Sequence, residues 1–307
     1  MSESAENFQA KPIGSAVIVS KVFHRPMGEG IRELVRLLEE RGIKASLDIS
    51  TAVGFNLPDL PTLSGEGMQH CDLIIVAGGD GSLLGAARGL VDLGVPMLGV
   101  NRGHLGLLTD VSPDNLEEYF DKLAQGRYRI ESRTMLDVRV YRVDEDGSGE
   151  LVGKSLATNE SVVHSGMMAH MMVFKVSIND RYMYTLRGDG IIVNTPTGST
   201  AYALSAGGSI IEPGLNALSL VPMFPQSLNC SPIIIPGNSR VRIEFENPEG
   251  VAELISINCD GQVTVRADTN CHVNIAPHAM PLKLLHPEGY DYYSLLRQKI
   301  GWGRSLV

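Results

Sequence analysis

The chain has 307 residues, of which 43% are hydrophobic and 20% charged, and its mean hydropathy is close to zero at +0.03. This composition is typical of a globular chain and excludes a mainly disordered, collagen-like or coiled-coil architecture. The formal net charge of −9 argues against a protein that binds a nucleic-acid backbone or an anionic membrane. We expect two domains, because single hydrophobic cores stop growing at roughly 250–300 residues.

The cysteines and the N-terminal segment indicate in which cellular compartment the protein is expected. No pair among the four cysteines has C-x-x-C spacing: Cys71, Cys230, Cys259 and Cys271. A disulfide scaffold is implausible at this length, so we expect reduced thiols. The polar segment Met1–Pro12 lacks the profile of a signal peptide, and no apolar run approaches the ~20 residues of a membrane helix. These features together predict a cytoplasmic protein.

Strand and helix patterns alternate along residues 1–132. In chain order, we expect a strand at 16–20, a helix at 30–41, strands at 45–49 and 72–77, a helix at 82–93, a strand at 95–100 and a helix at 115–125. The run at 72–77 is continuously apolar after its first residue, which is typical of a central parallel strand. This order of elements predicts a doubly wound parallel α/β domain.

The pattern changes at residue 133, where short β-type runs separated by Gly, Pro, Asn and Asp begin. We expect strands at 135–143, 153–156, 171–178, 191–193, 233–235, 241–245, 263–267 and 273–275, and one short helix at 201–205. Residues 133–286 are therefore predicted to form a β-rich, sandwich-like domain. A final helix is expected at 291–300, and we expect the tail 287–307 to pack back on the first domain.

A glycine loop follows the apolar strand at 72–77 and precedes a predicted helix. It consists of Gly78, Gly79, Asp80, Gly81 and Ser82. Open α/β sheets bind their ligands at this end of the strands, and glycine N–H groups at a helix N-terminus suit phosphate. Asp80 could hold Mg²⁺ bound to phosphate or accept a proton from an attacking hydroxyl. The alternative is a tight turn in which Asp80 caps the helix.

Other phosphate-binding motifs are missing from the sequence. Leu84 stands where the dinucleotide fingerprint has its third glycine, and no Walker A sequence occurs. A second glycine cluster spans 187–208. Its Asp189 could accept a hydrogen bond or bind a cation, and its Thr197, Ser199 and Thr200 could donate to phosphate or sugar oxygens. The alternative is a loop-rich junction whose hydroxyls cap their own backbone.

The chain resembles the NAD kinase family, and most closely its bacterial members. The matching segments follow the family's order: Gly78–Ser82, Gly99–Thr109, Asn159–Glu160, Asp189–Tyr202, Asp260–Gln262 and Leu296–Gly303. The first motif is shared with lipid kinases and phosphofructokinases, whereas the string Asn194–Tyr202 is specific to the family. Ser82 stands where the family usually has threonine, so the hydroxyl is kept.

The resemblance implies an enzyme that transfers the γ-phosphoryl group of ATP to the 2′-hydroxyl of the adenosine ribose of NAD, giving NADP. It implies a divalent metal ion, Mg²⁺ or Mn²⁺, with no metal ligand assigned, and a homo-oligomer, dimer or tetramer. Asp80 is the implied general base, and Gly78, Gly79, Gly81 and Ser82 form the implied phosphate loop. The NAD-binding residues implied by the resemblance are Asp80, Gly81, Asn159, Glu160, His170, Arg187, Asp189, Thr197, Thr200, Ala201, Tyr202, Ser205 and Gln262.

Several of these residues also have a purely structural interpretation. His170 could be a satisfied histidine in a methionine-rich subunit contact, Arg187 a surface ion-pair residue and Glu160 a solvated strand end. For Asp260, we favour the turn residue of a β-hairpin. Two other functions remain alternatives: a lipid or sugar kinase that shares the GGDG motif, and a dinucleotide sensor without catalysis.

Overall fold

The computed structural model of the chain describes residues 10–20, 26–101, 106–109, 111–143, 149–166, 171–227, 229–246 and 253–301. The chain forms two compact units, one made of Met1–Ser132 with Leu282–Val307 and the other of Arg133–Pro281. None of the helices in the part of the chain that the structure describes is long and apolar enough to span a membrane.

The elements are numbered in chain order. The strands are β1 Ser15–Val19, β2 Lys44–Asp48, β3 Thr62–Leu63, β4 Leu73–Ala77, β5 Met97–Val100, β6 Tyr128–Arg133, β7 Leu136–Val143, β8 Gly149–Ala157, β9 Glu160–Ser165, β10 Met172–Ile178, β11 Arg181–Gly188, β12 Gly190–Asn194, β13 Ala217–Met223, β14 Ile233–Pro236, β15 Val241–Glu246, β16 Leu254–Cys259, β17 Val263–Asp268, β18 Cys271–Pro277 and β19 Leu282–Pro287. The helices are α1 Pro26–Glu39, α2 Ile49–Phe55, α3 Gly65–Met68, α4 Asp80–Leu90, α5 Leu116–Ala124, α6 Tyr202–Ser205 and α7 Tyr292–Ile300.

The first unit is built on a seven-stranded sheet with the order β3-β2-β1-β4-β5-β19-β6. Strand β1 pairs in parallel with both β2 and β4, so the strand order reverses between β1 and β4. Such a reversal is where open α/β sheets bind their ligands. The predicted doubly wound parallel architecture is confirmed.

Apolar side chains explain why these elements pack together. In α1, Ile31, Leu34, Val35 and Leu38 recur at helical spacing and are all buried. They join one core with alternate residues of the sheet, such as Ile18 of β1. This core fixes the carboxyl ends of β1, β4 and β5 as a rigid platform.

Several bounds in the first unit differ from the sequence-based expectation. Ile49 was expected to end a strand but begins α2, because the Asp48 carboxylate accepts hydrogen bonds from the backbone of Ser50 and Thr51 and so caps the helix. Helix α4 begins at Asp80 instead of residue 82. The chain re-enters this unit at Leu282 and not at 287, because β19 pairs in parallel with β5.

The second unit contains two six-stranded sheets. Their orders are β11-β10-β15-β18-β7-β8 and β14-β13-β12-β9-β16-β17, and each pairing described within them is antiparallel. Inward-facing residues of both sheets, such as Val138, Phe174, Val163 and Ile257, form one core. The predicted β-sandwich is therefore confirmed.

Strands β9 and β12 are buried on both faces. Val163 and Val193 face the sandwich core, whereas Val162 and Ile192 pack against Ala203 of α6 on the opposite face. Double burial removes the alternation of polar and apolar residues by which half-buried strands are recognised. Strand β12 was nevertheless predicted because its apolar residues are contiguous, whereas β9 has only Val162 and Val163 between polar residues. Strands β9, β11, β13 and β16 of this unit had no counterpart among the expected strands. The packing of Ala203 also places α6 directly over the start of the segment Glu160–Ser165.

Candidate functional site

The glycine loop of the first unit follows β4. Gly78 has a φ of +155°, and a Cβ there would overlap the Ser82 side chain, so only glycine fits. Gly79 and Gly81 are exposed. Gly79 is the N-cap of α4, and no side chain among the described residues caps this helix end. The start of α4 is therefore suited to binding an anion.

The carboxylate of Asp80 does not cap α4, so that interpretation is wrong. It reaches the backbone of residues 107–109 instead. Oδ2 accepts a hydrogen bond from the Leu107 N–H at 2.8 Å, and Oδ1 accepts from the Leu108 N–H at 3.2 Å and the Thr109 N–H at 3.0 Å. The Thr109 hydroxyl also donates to Oδ1, at 2.8 Å. Four donors thus fix a half-buried carboxylate beside the exposed residues Gly79 and Gly81.

Gly106 makes this arrangement sterically feasible. A Cβ on Gly106 would overlap Oδ1 of Asp80 and Oγ1 of Thr109. Neither Gly106 nor Thr109 was assigned a role from the sequence, although both lie in the family-like segment Gly99–Thr109. The signal that could have identified them is the glycine itself, because close backbone approach requires a residue without a Cβ.

In the second unit, Asp260 organises the residues before β9. Asp260 and Gly261 have φ values of +53° and +63° and, with Gln262, form the three-residue turn between β16 and β17. The predicted hairpin turn is confirmed. The Asp260 carboxylate also accepts hydrogen bonds from the backbone N–H groups of Thr158 at 3.0 Å, Asn159 at 2.8 Å and Glu160 at 3.3 Å. Asp260 therefore holds Asn159 and Glu160 in place, a role that the sequence did not indicate.

Glu160 is the first residue of β9 and is only 5% exposed, so it is not a solvated strand end. Burial raises the pKa of its carboxyl to about 7, the negative charge of Asp260 adds to this shift, and the backbone N–H of Tyr202 opposes it. Among the described residues, Oε2 of Glu160 is buried without a hydrogen-bond partner. The same holds for Oδ1 of Asn194, the register partner of Glu160 on β12. This concentration of unsatisfied acceptors suits a ligand that brings hydrogen-bond donors.

The segment that follows β12 wraps around Asn159. The Thr195 hydroxyl donates to the Thr158 carbonyl at 2.6 Å, and the Thr195 N–H donates to the Asn159 carbonyl at 2.9 Å. A Cβ on Gly198 would overlap the carbonyl group of Asn159. The segment therefore lies against the same backbone that Asp260 holds from the other side.

Part of this hydroxyl-rich segment satisfies its own backbone. The Ser199 hydroxyl is buried and donates to the Pro196 carbonyl at 2.6 Å, so the expectation that it contacts phosphate or sugar is wrong. The Thr200 hydroxyl donates to the Thr197 carbonyl at 3.2 Å. Tyr202 is 48% exposed, and Ser205 is exposed as well. The turn of Thr197–Thr200 and α6 thus leave a polar surface next to Glu160.

The other residues that the resemblance assigns to NAD binding are Asp189, Arg187, Gln262 and His170. Asp189 joins β11 to β12 and is half-buried, at the opposite end of β12 from Asn194 and so about 16 Å along the strand. Arg187 is exposed on β11 of the other sheet, and its carbonyl accepts from the Gln226 N–H at 2.9 Å. Gln262 is exposed at the end of the Asp260 turn. His170 lies outside the described residues. The second unit thus groups the assigned residues around Glu160 but not Arg187 or Asp189.

The fold and these two clusters define a phosphotransferase built from a doubly wound domain and a β-sandwich. Sequence comparison refines this class. The N-terminal domain of the ATP-NAD kinases matches residues 18–128, and their C-terminal domain matches residues 158–285. The chain therefore belongs to the ATP-NAD kinase family and is an enzyme. The alternatives of a lipid or sugar kinase and of an inactive sensor are not favoured.

Relatives are similar in sequence to this chain over most of its length. An NAD kinase of Shewanella frigidimarina is 41% identical over 291 residues, which cover 94% of this chain and 91% of the relative. An NAD kinase of Aeromonas salmonicida is 41% identical over 96% of this chain and 99% of its own length.

Two solved structures are similar. A yeast NADH kinase complexed with NADH superposes with a TM-score of 0.81 at 22% identity, covering 97% of this chain and 90% of its own, and supports the fold. An NAD kinase from Archaeoglobus fulgidus in complex with ATP gives a TM-score of 0.69 at 25% identity, covering 94% and 98%.

Proposed function

We propose that the chain transfers the γ-phosphoryl group of ATP to the 2′-hydroxyl of the adenosine ribose of NAD, giving NADP and ADP. The observation that carries this proposal is the Asp80 carboxylate, held by four hydrogen bonds beside the start of α4. An acceptor fixed next to a phosphate-binding backbone is what hydroxyl phosphorylation requires.

In the proposed reaction, phosphate oxygens of ATP bind at the start of α4, where the Gly78 and Ser82 N–H groups already donate to the carbonyls of Val100 and Gly79 and those of Gly79 and Asp80 are proposed to face the phosphate. The 2′-oxygen of NAD bonds to the γ-phosphorus, the bond from that phosphorus to the bridging oxygen breaks, and ADP leaves. Asp80 orients the 2′-hydroxyl and takes its proton. The transition state of such transfers is loose, so positioning and charge neutralisation supply most of the rate enhancement and a weak base is sufficient.

The divalent metal ion is proposed as part of the nucleotide substrate. Within the described residues, no group of three or more His, Cys, Asp or Glu side chains is arranged to hold a metal ion. Oδ1 of Asp80 already accepts three hydrogen bonds from the protein. The described side chains therefore form no resident metal site of that kind. We therefore infer that Mg²⁺ or Mn²⁺ arrives bound to the phosphates of ATP.

The cluster around Glu160 is proposed to bind the adenosine part of NAD. Asn159 and Glu160 would accept from its ribose and adenine, next to the surface formed by Thr197, Thr200, Ala201, Tyr202 and Ser205. Asp189 is proposed to bind towards the nicotinamide end, and His170 and Arg187 to complete the site. Gln262 is proposed as a further NAD-binding residue. We further propose a homo-oligomer, dimer or tetramer, in the cytoplasm. Its four cysteines, all within the described residues, form no disulfide, which supports a reducing compartment.

Replacing Glu160 by alanine is expected to raise the KM for NAD by about 10-fold or more and to change kcat far less, because a binding acceptor is removed while Asp80 remains. Initial rates at varied NAD and saturating ATP give both constants. An unchanged KM with a lower kcat would instead place Glu160 in the chemical step.

Glu160 also makes stability depend on pH in a predictable direction. Its folded-state pKa of about 7 lies above the ordinary value of 4.5. Between these values the folded protein keeps a proton that the unfolded chain releases, so the contribution of Glu160 to stability is greatest below pH 4.5 and is lost as the pH rises to about 7. Glu160→Gln, which stays neutral, should therefore melt a few degrees above the wild type at pH 8 but close to it at pH 5, for a difference on the order of 2 kcal/mol.

The control for this comparison is Glu150→Gln, at an exposed position of β8 in the same unit. It should leave the melting temperature nearly unchanged at both pH values. Equal melting temperatures of wild type and Glu160→Gln at pH 8 would contradict the burial of an unsatisfied carboxyl at this position.

The proposed function itself is tested by incubating the enzyme with ATP, Mg²⁺ and NAD and measuring NADP with an NADP-specific dehydrogenase. A sugar and a diacylglycerol replace NAD in parallel reactions. NADP formation is expected only with NAD. Phosphorylation of the sugar or lipid without formation of NADP would overturn the proposal.

A further inference from the structure

The loop that holds Asp80 contains a directed chain of hydrogen bonds. The Asn101 side-chain amide donates to Oγ1 of Thr109 at 3.2 Å, and the Thr109 hydroxyl donates to Oδ1 of Asp80 at 2.8 Å. Because a hydroxyl has one proton and the Asn101 amide group is itself a donor, the Thr109 proton points to the carboxylate. We propose that Thr109 is a positioning residue for the phosphoryl transfer, an inference that rests on the proposed function of Asp80.

Packing fixes the Thr109 side chain in the rotamer that makes this bond. Thr109 is fully buried and Asn101 is 4% exposed. The Thr109 methyl group lies against Gly99 of β5, where an added Cβ would come within 2.6 Å of it. Gly106 leaves room for the hydroxyl and for Oδ1 on the other side. The two glycines therefore orient the methyl group towards the strand and the hydroxyl towards Asp80.

The backbone anchors the chain at its other end. The Asn101 N–H donates to the Val111 carbonyl at 2.9 Å, and the Gly106 N–H donates to the Thr109 carbonyl at 3.1 Å. Asn101 directly follows β5, whose four residues are all buried. The position of the Asp80 carboxylate is thus tied to the core of the sheet through Thr109 and Asn101.

The two carboxylate oxygens of Asp80 are consequently not equivalent. Within the described part of the chain, Oδ1 accepts three hydrogen bonds, including the one from the Thr109 hydroxyl, and Oδ2 accepts one, from the Leu107 N–H. Because Oδ2 accepts a single hydrogen bond from the described residues, it keeps acceptor capacity for the substrate hydroxyl. Thr109 holds Oδ1 and thereby presents Oδ2 as the proton acceptor.

The test compares Thr109→Val with Thr109→Ser. Valine keeps the shape and removes the hydroxyl, whereas serine keeps the hydroxyl and removes the methyl group. We expect Thr109→Val to lower kcat by roughly 10- to 100-fold, as a small displacement of a reacting group does, with the KM values for NAD and ATP within about twofold. Thr109→Ser should retain kcat within about threefold of the wild type.

The outcomes separate this inference from the proposed function. An inactive wild type would refute the proposed function. An active wild type with unchanged kcat in Thr109→Val, or with equal losses in the valine and serine variants, would overturn the role of Thr109. If valine prevents folding, Thr109→Ala fits the same space and its comparison with Thr109→Ser still isolates the hydroxyl. Equal kcat values in those two variants would also refute the inference.

Discussion

Asp80→Asn is expected to lower kcat by about 10²- to 10⁴-fold and to leave NAD bound, because the amide cannot take the proton of the 2′-hydroxyl. The structure adds a second consequence. The carboxylate accepts from donors on both of its oxygens, and an asparagine presents an NH₂ group in place of one of them. At least one backbone N–H of residues 107–109 then loses its acceptor, so a lower melting temperature is expected as well.

This variant is measured by steady-state kinetics, with NAD binding followed by calorimetry and folding by thermal melting. Asp114→Asn, at an exposed position just before α5, is the matched control and should behave like the wild type. Retention of full kcat by Asp80→Asn would remove Asp80 from the role of base. Loss of both folding and binding would mean that the carboxylate is needed first for structure.

Gly198→Ala is expected to have the second largest effect. Its Cβ would overlap the Asn159 carbonyl group and come within 2.6 Å of the Asn159 Cα. The obstacle is backbone held by the Asp260 carboxylate and by the Thr195 N–H, so a side-chain rotation cannot relieve it. The segment after β12 must move away from Asn159. We expect the KM for NAD to rise by more than about 10-fold and stability to fall by about 1–3 kcal/mol.

The control for this prediction is Gly89→Ala on the exposed face of α4, where an added Cβ meets no atom within 4 Å. Alanine there should stabilise the protein by about 0.5–1 kcal/mol, since glycine is the poorer helix former. Kinetics and thermal melts of both variants provide the comparison. If Gly198→Ala binds NAD as tightly as the wild type does, the tight packing of this segment against Asn159 does not matter for the site.

Much of the fold was predictable because its signals are local. The helical spacing of Ile31, Leu34 and Leu38 and the apolar run of β4 predict a parallel α/β domain, and the glycines after β4 predict the ligand-binding end of the sheet. Strand β9 was not predicted because its two apolar residues, Val162 and Val163, are flanked by polar residues on both sides. The start of α2 was not predicted because it depends on one side chain: Asp48 caps the helix at its N-terminus.

The parts of the site that could not be predicted rest on long-range hydrogen bonds. Asp260 holds Asn159 across about a hundred positions of sequence, and Thr109 reaches back to Asp80. Neither contact follows from residue type or spacing. The sequence predicts only that Asp260 is the turn residue of a hairpin. Folding brings the backbone N–H groups of Thr158, Asn159 and Glu160 to its carboxylate, and these hydrogen bonds hold Glu160 in place.

The most direct test of the proposed phosphoryl transfer is the phosphorus NMR spectrum of the product formed from NAD, ATP and Mg²⁺ by the wild-type enzyme. We expect one new phosphomonoester signal, coupled to the 2′-proton of the adenosine ribose, that grows as ADP accumulates and is lost with Asp80→Asn. A phosphate on the 3′-oxygen or on the nicotinamide ribose, or hydrolysis of ATP without a new ester, would contradict the proposed transfer.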